Sequence, residues 1–280
     1  MTAKAPEQGS SSKAPRKGFL LGMGRAFSSE WVKMARRRLS YGSYFEITAV
    51  VVLTTIVAVV GAHRKGSGPR SVLALSQASG LSKGLTDSVI LLGAVALSIA
   101  AAQFGGEFSH GTLRNLLVRQ PSRAALATGK GTAVVSFIIG AVLVAALFGM
   151  AIAFLAADIR GIPTGAWSSG AGLAHFGTSL GDLALSATGF AIIGMVLGIL
   201  LRSSVLAIGT GLALLLPVES ILTSAAPGSA RWLPGQLLQA IAKGGDAHAS
   251  FLAALATSAA YLFVLVVGTL IVFTLQDVTT

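Results

Sequence analysis

The sequence predicts an all-α integral membrane protein with six transmembrane helices. Three observations carry that reading. Apolar residues make up 53% of the 280 residues and charged ones only 11%. Apolar runs of about 20 residues recur along the chain, long enough to cross a bilayer core. The polar passages between them are too short to form a soluble domain. Spans are expected near residues 44–62, 87–104, 132–156, 182–201, 205–218 and 251–275. The net charge of +11 is lopsided, since nine of the 21 Lys and Arg (Lys4, Lys13, Arg16, Lys17, Arg25, Lys33 and Arg36 to Arg38) precede the first span. That placement suits anionic lipid headgroups better than nucleic acid. The chain has no cysteine, which excludes disulfides and thiolate metal sites.

Residues 1–19, rich in Ser, Lys, Pro and Gly, are expected to form a disordered basic arm. Over residues 20–40, Leu20, Met23, Phe27, Trp31 and Met34 step by three or four, while Arg25, Lys33, Arg36 and Arg37 lie largely off that stripe. This pattern predicts an amphipathic helix in the membrane interface, with Glu30 and Lys33 spaced to pair at i,i+3. Residues 41–280 then form the six-helix domain. Glu46 falls in the first turn of span one, and residues 63–86 read as a polar loop. Residues 158–179 read as a second loop, whose Trp167 is expected at a membrane interface. Span four opens at Asp182 and carries Gly194 and Gly198, with Ser186, Ala187 and Gly189 before them. Such small residues predict close helix packing, within the chain rather than between chains. Pro217 and Glu219 are expected to end a short fifth span. Between residues 223 and 250, Pro227, Pro234 and Gly235 break a half-apolar stretch in which Leu237, Leu238 and Ile241 share a helical face. That face is too short to span, so re-entrant or surface-lying half-helices are expected before span six.

The most informative stretch is 107–130, EFSHGTLRNLLVRQPSRAALATGK, a polar passage between spans two and three. Leu113, Leu116 and Leu117 recur at helical spacing, so a short helix should begin near Thr112, capped by Thr112 or Ser109 and ended by Gln120-Pro121. A fresh helix should start at Pro121-Ser122 and run through Lys130 into span three. Arg114, Arg119, Arg123 and Lys130 face one acid, Glu107. A basic element with one apolar face suits docking a soluble partner; a loop whose arginines only mark the cytoplasmic side fits the pattern equally. Counting Lys and Arg on alternate sides gives fourteen on the side of the termini and seven on the other, which places both termini in the cytoplasm.

The chain carries no phosphate-binding loop: Gly129-Lys130-Gly131-Thr132 lacks the upstream glycine and has Gly131 where Ser or Thr is needed. Its four histidines are scattered, and no pattern suggests a metal site. Glu46, Asp87, Asp182 and Glu219 are all expected at span ends, which argues against a proton-driven secondary carrier. Such a carrier or a channel is the alternative reading.

The run Glu107, Phe108, Gly111, Thr112, Leu113, Arg114, Leu116, Leu117, Pro121 and Arg123, with Gly129-Lys130 opening span three, resembles the signature of ABC type-2 transporter permeases. Glu30, Lys33 and Arg36 to Arg38 before span one agree, as do Leu233-Pro234 and Leu237-Leu238 before the last span. Gln276 departs from the pattern, since basic residues often stand beside the final Asp-Val of such chains. The resemblance covers about residues 20–280. It implies a bacterial inner-membrane subunit that dimerises with a second permease copy or a homologous permease and works with two copies of a cytoplasmic ABC ATPase. ATP and Mg would be bound by that ATPase, with no cofactor on this chain, no catalytic residue and no nucleic-acid partner. Gly106 to Arg123 would be a cytoplasmic coupling helix, with Glu107 and Arg123 pinning its ends, and ATPase-coupling residues Gly111, Thr112, Leu113, Arg114, Leu116, Leu117, Arg119 and Lys130. Residues 20–40, with Phe27, Glu30, Trp31, Lys33, Arg36 and Arg37, would be the connecting helix. Pro217, Glu219, Trp232, Pro234, Leu237 and Leu238 would form an outer gate. The expected activity is export of a hydrophobic or amphipathic substrate such as a drug, antibiotic, peptide or lipid.

Overall fold

The computed structural model describes residues 14–36, 38–63, 68, 71–109 and 123–275. Among these the chain is helical and contains no strand, only two isolated bridges. Helix α1 (Ala14–Arg36) begins ahead of the expected start at residue 20. It is followed by α2 (Arg38–Val60), then by the short α3 (Val72–Leu75) and α4 (Lys83–Asp87) with a 3-10 turn, Ala78–Ser82, between them. Long helices α5 (Val89–Ser109), α6 (Arg123–Arg160) and α7 (Gly170–Leu201) come next. The fifth long element is α8 (Ser204–Ala213), a π-helical stretch Leu214–Val218 and α9 (Glu219–Ala225) in continuous succession. After α10 (Pro234–Ala242) the chain closes with α11 (Phe251–Leu275). Among the described residues, six elements are long and apolar enough to cross a membrane: Tyr41–Val60, Val89–Ser109, Ala124–Arg160, Gly170–Leu201, Ser204–Ala225 and Phe251–Val272.

The bundle is organised on two pairings. Helix α5 packs most extensively on α7, and α2 packs on α6, with α1 lying along α6 as well. The first pairing explains the small residues of span four. A Cβ on Gly194 would lie 2.3 Å from the Leu97 carbonyl oxygen, and one on Gly198 would lie 2.9 Å from that of Ala101. The two backbones therefore touch, which only small residues permit. The glycine pair is an intrachain seam, as its spacing predicted.

Several expected boundaries move, each for a local reason. The stretch expected to be a polar loop after span one folds back against the bundle through buried Leu75, Leu81 and Leu85. Thr54 Oγ1 donates to the Gly84 carbonyl at 3.0 Å, and the Trp167 indole donates to the Leu75 carbonyl at 2.7 Å. Trp167 is thus fully buried against the bundle rather than a lipid-facing side chain. Helices this short give no periodic signal. Helix α7 starts at Gly170 rather than Asp182, because Ser169 caps it by accepting from the Gly172 N–H at 3.1 Å. Helix α6 starts at Arg123, in keeping with the fresh start expected after Pro121.

At one end of the bundle, here the distal end, Arg160 Nη2 donates to the Ala62 carbonyl at 2.9 Å and ties the C-termini of α6 and α2 together. At the other, proximal end lie α1, the end of α5 and the start of α6. Replacing Gly194 with Val should push α7 off α5 and cost about 1–3 kcal/mol. Denaturant titration of the purified chain in micelles should show that loss, whereas Gly177→Ala, where a Cβ meets nothing within 4 Å, should show none.

Candidate functional site

The proximal end concentrates charge where the sequence led one to expect it, but in an unexpected arrangement. The stripe that α1 buries is Ala26, Glu30 and Met34, with Met23 and Phe27 half-buried. Trp31, expected on that stripe, is 38% exposed and stacks on Phe27, ring centroids 5.8 Å apart. The helix is turned so that a carboxylate faces the bundle. Two features make this stable. Gly129 of α6 lets α1 approach, since a Cβ there would lie 2.5 Å from the Met23 carbonyl oxygen and 2.7 Å from the Ala26 Cβ. Lysines on two helices neutralise Glu30.

Lys130 is the centre of this arrangement and is 2% exposed. It pairs with Glu107 at the end of α5, and its Nζ lies 3.8 Å from Glu30 Oε2 on α1. Glu30 also pairs with Lys33 one turn along α1. The Lys130 ammonium sits 5.1 Å from the centroid of the Phe104 ring, whose negative face adds a further favourable contact. Two acids and two bases from three helices thus neutralise one another, with Glu30 and Lys130 buried, Glu107 partly buried and Lys33 at the surface. A lone ammonium or carboxylate at this depth would carry an unmatched desolvation cost of several kcal/mol.

The turn between α7 and α8 completes the proximal end. Arg202 adopts a left-handed conformation, φ 50°, and its guanidinium lies 6.0 Å from the Phe108 ring centroid. Ser203 caps α8 by accepting from the Leu206 N–H at 3.4 Å. A Cβ on Gly105 would come within 2.6 Å of the Ser204 nitrogen, so the end of α5 is seated directly on this turn.

The sequence-predicted residues fall into three groups. Gly111, Thr112, Leu113, Arg114, Leu116, Leu117, Arg119 and Arg37, with the short helix expected near Thr112, lie outside the described residues. Arg36 ends α1 and Arg123 begins α6. Glu30, Lys33, Glu107 and Lys130 come together as one cluster at the two helix ends that bracket residues 110–122. Sequence reasoning anticipated the Glu30–Lys33 pair and missed that Lys130 links Glu30 to Glu107. The available signal was a carboxylate four residues from both Ala26 and Met34, which sets Glu30 on an apolar face.

At the distal end, Pro217 lies inside the π-helical stretch, and the helix continues through it to Ala225. Glu219, expected at the end of the fifth span, is therefore inside the helix and 4% exposed. Its Oε1 and Oε2 accept from the Gly235 and Gln236 N–H groups, each at 2.9 Å. Pro234 opens α10, whose Leu237 and Leu238 are buried. Trp232 is 59% exposed, with the Arg231 guanidinium 5.5 Å from its ring centroid.

Six helices long and apolar enough to cross a membrane make this a multi-pass helical membrane protein. The family described as ABC-2 family transporter protein matches residues 26–218. That match takes in the larger part of the chain, including the proximal cluster, and the chain belongs to this family. It is an ABC permease subunit, a membrane transport component and not itself the catalytic one. The comparison with curated proteins gave no match.

Replacing Lys130 with Met should leave Glu30 and Glu107 without their shared cation and destabilise the chain by about 3–5 kcal/mol. Adding Glu107→Gln should recover part of that loss. A double-mutant cycle on Lys130 and Glu107, read by denaturant unfolding in micelles, should therefore give a coupling energy of about 1 kcal/mol or more.

Proposed function

We propose that the chain is the permease subunit of a bacterial ABC exporter, driven by a separate cytoplasmic ATPase. The observation that carries this reading is the family match over residues 26–218, which includes the stretch between α5 and α6. Membership in this family implies an ABC ATPase as partner. The segment Gly106 to Arg123 serves as the coupling element, whose Leu113, Leu116 and Leu117 fill an apolar groove on the ATPase. Both termini are cytoplasmic, so the proximal end faces the ATPase and the distal end faces outward. The excess of Lys and Arg on the proximal side supports this orientation.

What supports a mechanical role for the proximal cluster is its position. The segment 110–122 is strung between the end of α5 and the start of α6, and Lys130 joins those ends to each other and to α1. Movement of the segment by the ATPase would then be passed to α1, α5 and α6 together. Two such subunits form the transport unit, with ATP and Mg held by two ATPase copies.

The substrate is hydrophobic or amphipathic. Supporting this, two hydroxyls of the first two spans turn back to their own helices: Thr55 donates to the Val51 carbonyl at 2.7 Å and Ser98 to the Ala94 carbonyl at 2.8 Å. A secondary carrier would want a titratable group free to exchange protons within the bundle. Glu219 is the buried acid of the fifth span, and both its oxygens are occupied by backbone amides.

The purified chain alone should hydrolyse no ATP, while its complex with the ATPase should. Replacing both Leu116 and Leu117 with Asp should dissociate that complex or abolish its coupled activity. Wild-type assembly and ATPase activity in the doubly charged variant would overturn the coupling assignment.

A further inference from the structure

The fifth long element buries Ala207, Gly211, Leu215 and Glu219, a stripe at strict four-residue spacing. On an α-helix of 3.6 residues per turn such a stripe drifts steadily around the surface. The wider π turn at Leu214–Val218 takes back part of that drift. It also accommodates Pro217, which has no N–H to give, and it keeps Glu219 on the face that meets α10. Helix α10 needs what Glu219 supplies. Its Pro234 lacks an N–H, and Leu233 before it has no side-chain acceptor, so the Gly235 and Gln236 N–H groups have no cap of their own. The buried carboxylate accepts from both, and its negative charge sits at the positive end of the helix.

On its other side α10 is held by α7. Ser186 Oγ donates to the Leu238 carbonyl at 2.8 Å, and Leu238 packs where Gly189 leaves room for it. Beyond α10 the chain turns through Gly244 and Gly245 at φ 74° and 108°, and the Gly245 N–H donates to the Ala240 carbonyl at 2.8 Å, closing the C-terminal end of the helix. From these contacts we infer that Glu219 is a positioning residue, a reversible latch that holds α10 across the distal end between α7 and the fifth span. The inference rests on the transport reading for the meaning of that closure, as the outward end of the pathway. Two amide hydrogen bonds to a carboxylate can be exchanged for water, so such a latch can release during a transport cycle.

The chain has no cysteine, so a single Ala240→Cys introduces the sole thiol, on an α10 residue that is 1% exposed. Its rate of maleimide labelling in lipid nanodiscs, where both faces are open, reads whether α10 stays seated. Glu219→Gln keeps the side chain's size but cannot accept from both amides, and losing one charge-assisted hydrogen bond should raise the labelling rate about tenfold. Gly235→Ala tests the same contact from the other partner, since its Cβ would lie 2.6 Å from Glu219 Oε2 while the charge stays in place. It should raise the rate as well. A role in packing alone would leave Glu219→Gln neutral. Wild-type labelling rates in both variants would overturn the latch. The assay uses no nucleotide and no ATPase, so that result would leave the transport reading standing, and a chain that associates with no ATPase would leave the latch standing.

Discussion

The proximal half of this molecule depends on one buried cation. Lys130 of α6 sits where α1 and α5 converge on it, and both contribute something that makes sense only in its presence: Glu30 from α1, and Glu107 and the Phe104 ring from α5. Buried ion pairs add little net stability over an apolar core of the same shape, because desolvation offsets most of the attraction. What they impose is geometry. Two carboxylates that cannot be left unpaired hold α1 and the end of α5 to a single point on α6. The close approach permitted by Gly129 then locks the helix axes at that spacing. Under the coupling proposed above, such a junction would pass a displacement of the ends of α5 and α6 on to α1.

The rest of the bundle follows a different rule. In lipid, apolar side chains gain little by leaving one hydrocarbon environment for another, so backbone proximity and polar pins decide which helices stay together. The α5–α7 seam supplies the proximity through Gly194 and Gly198. The pins gather at the distal end, with Arg160 on the Ala62 carbonyl, Trp167 on the Leu75 carbonyl and Glu219 on α10. In contrast, α11 presents Leu252, Phe263 and Val264 outward, at 74%, 70% and 68% exposed.

Most of the fold was legible in the sequence because bilayer thickness sets a length scale that apolar runs reveal directly. The small-residue seam was legible for a similar reason, since its spacing lies within one helix. What stayed hidden was anything that depended on two distant segments meeting. Trp167 reads as an exposed loop aromatic until the Leu75 carbonyl is found to hold its indole inside the bundle. Glu219 reads as a span end until the π turn carries the helix past Pro217 and α10 returns to meet it. Lys130 reads as one of four basic residues in a docking stretch. Its pairing with Glu30 spans a hundred residues of chain, and no local pattern announces it. The leucine face at 113–117, by contrast, was expected from local periodicity alone, and those residues lie outside the described ones.

The direct test of the central claim is whether α1 and α6 move as one body. Nitroxide labels on Ser28→Cys and Thr132→Cys, both exposed, report the separation of the two helices on either side of the cluster. Pulsed electron resonance on the complex with its ATPase should give the same narrow distance distribution in the nucleotide-free and vanadate-trapped states, and a broadened one once Lys130→Gln is added. A wild-type separation that changes with nucleotide, or a width indifferent to the loss of Lys130, would contradict the claim that this cation binds the helices into one unit.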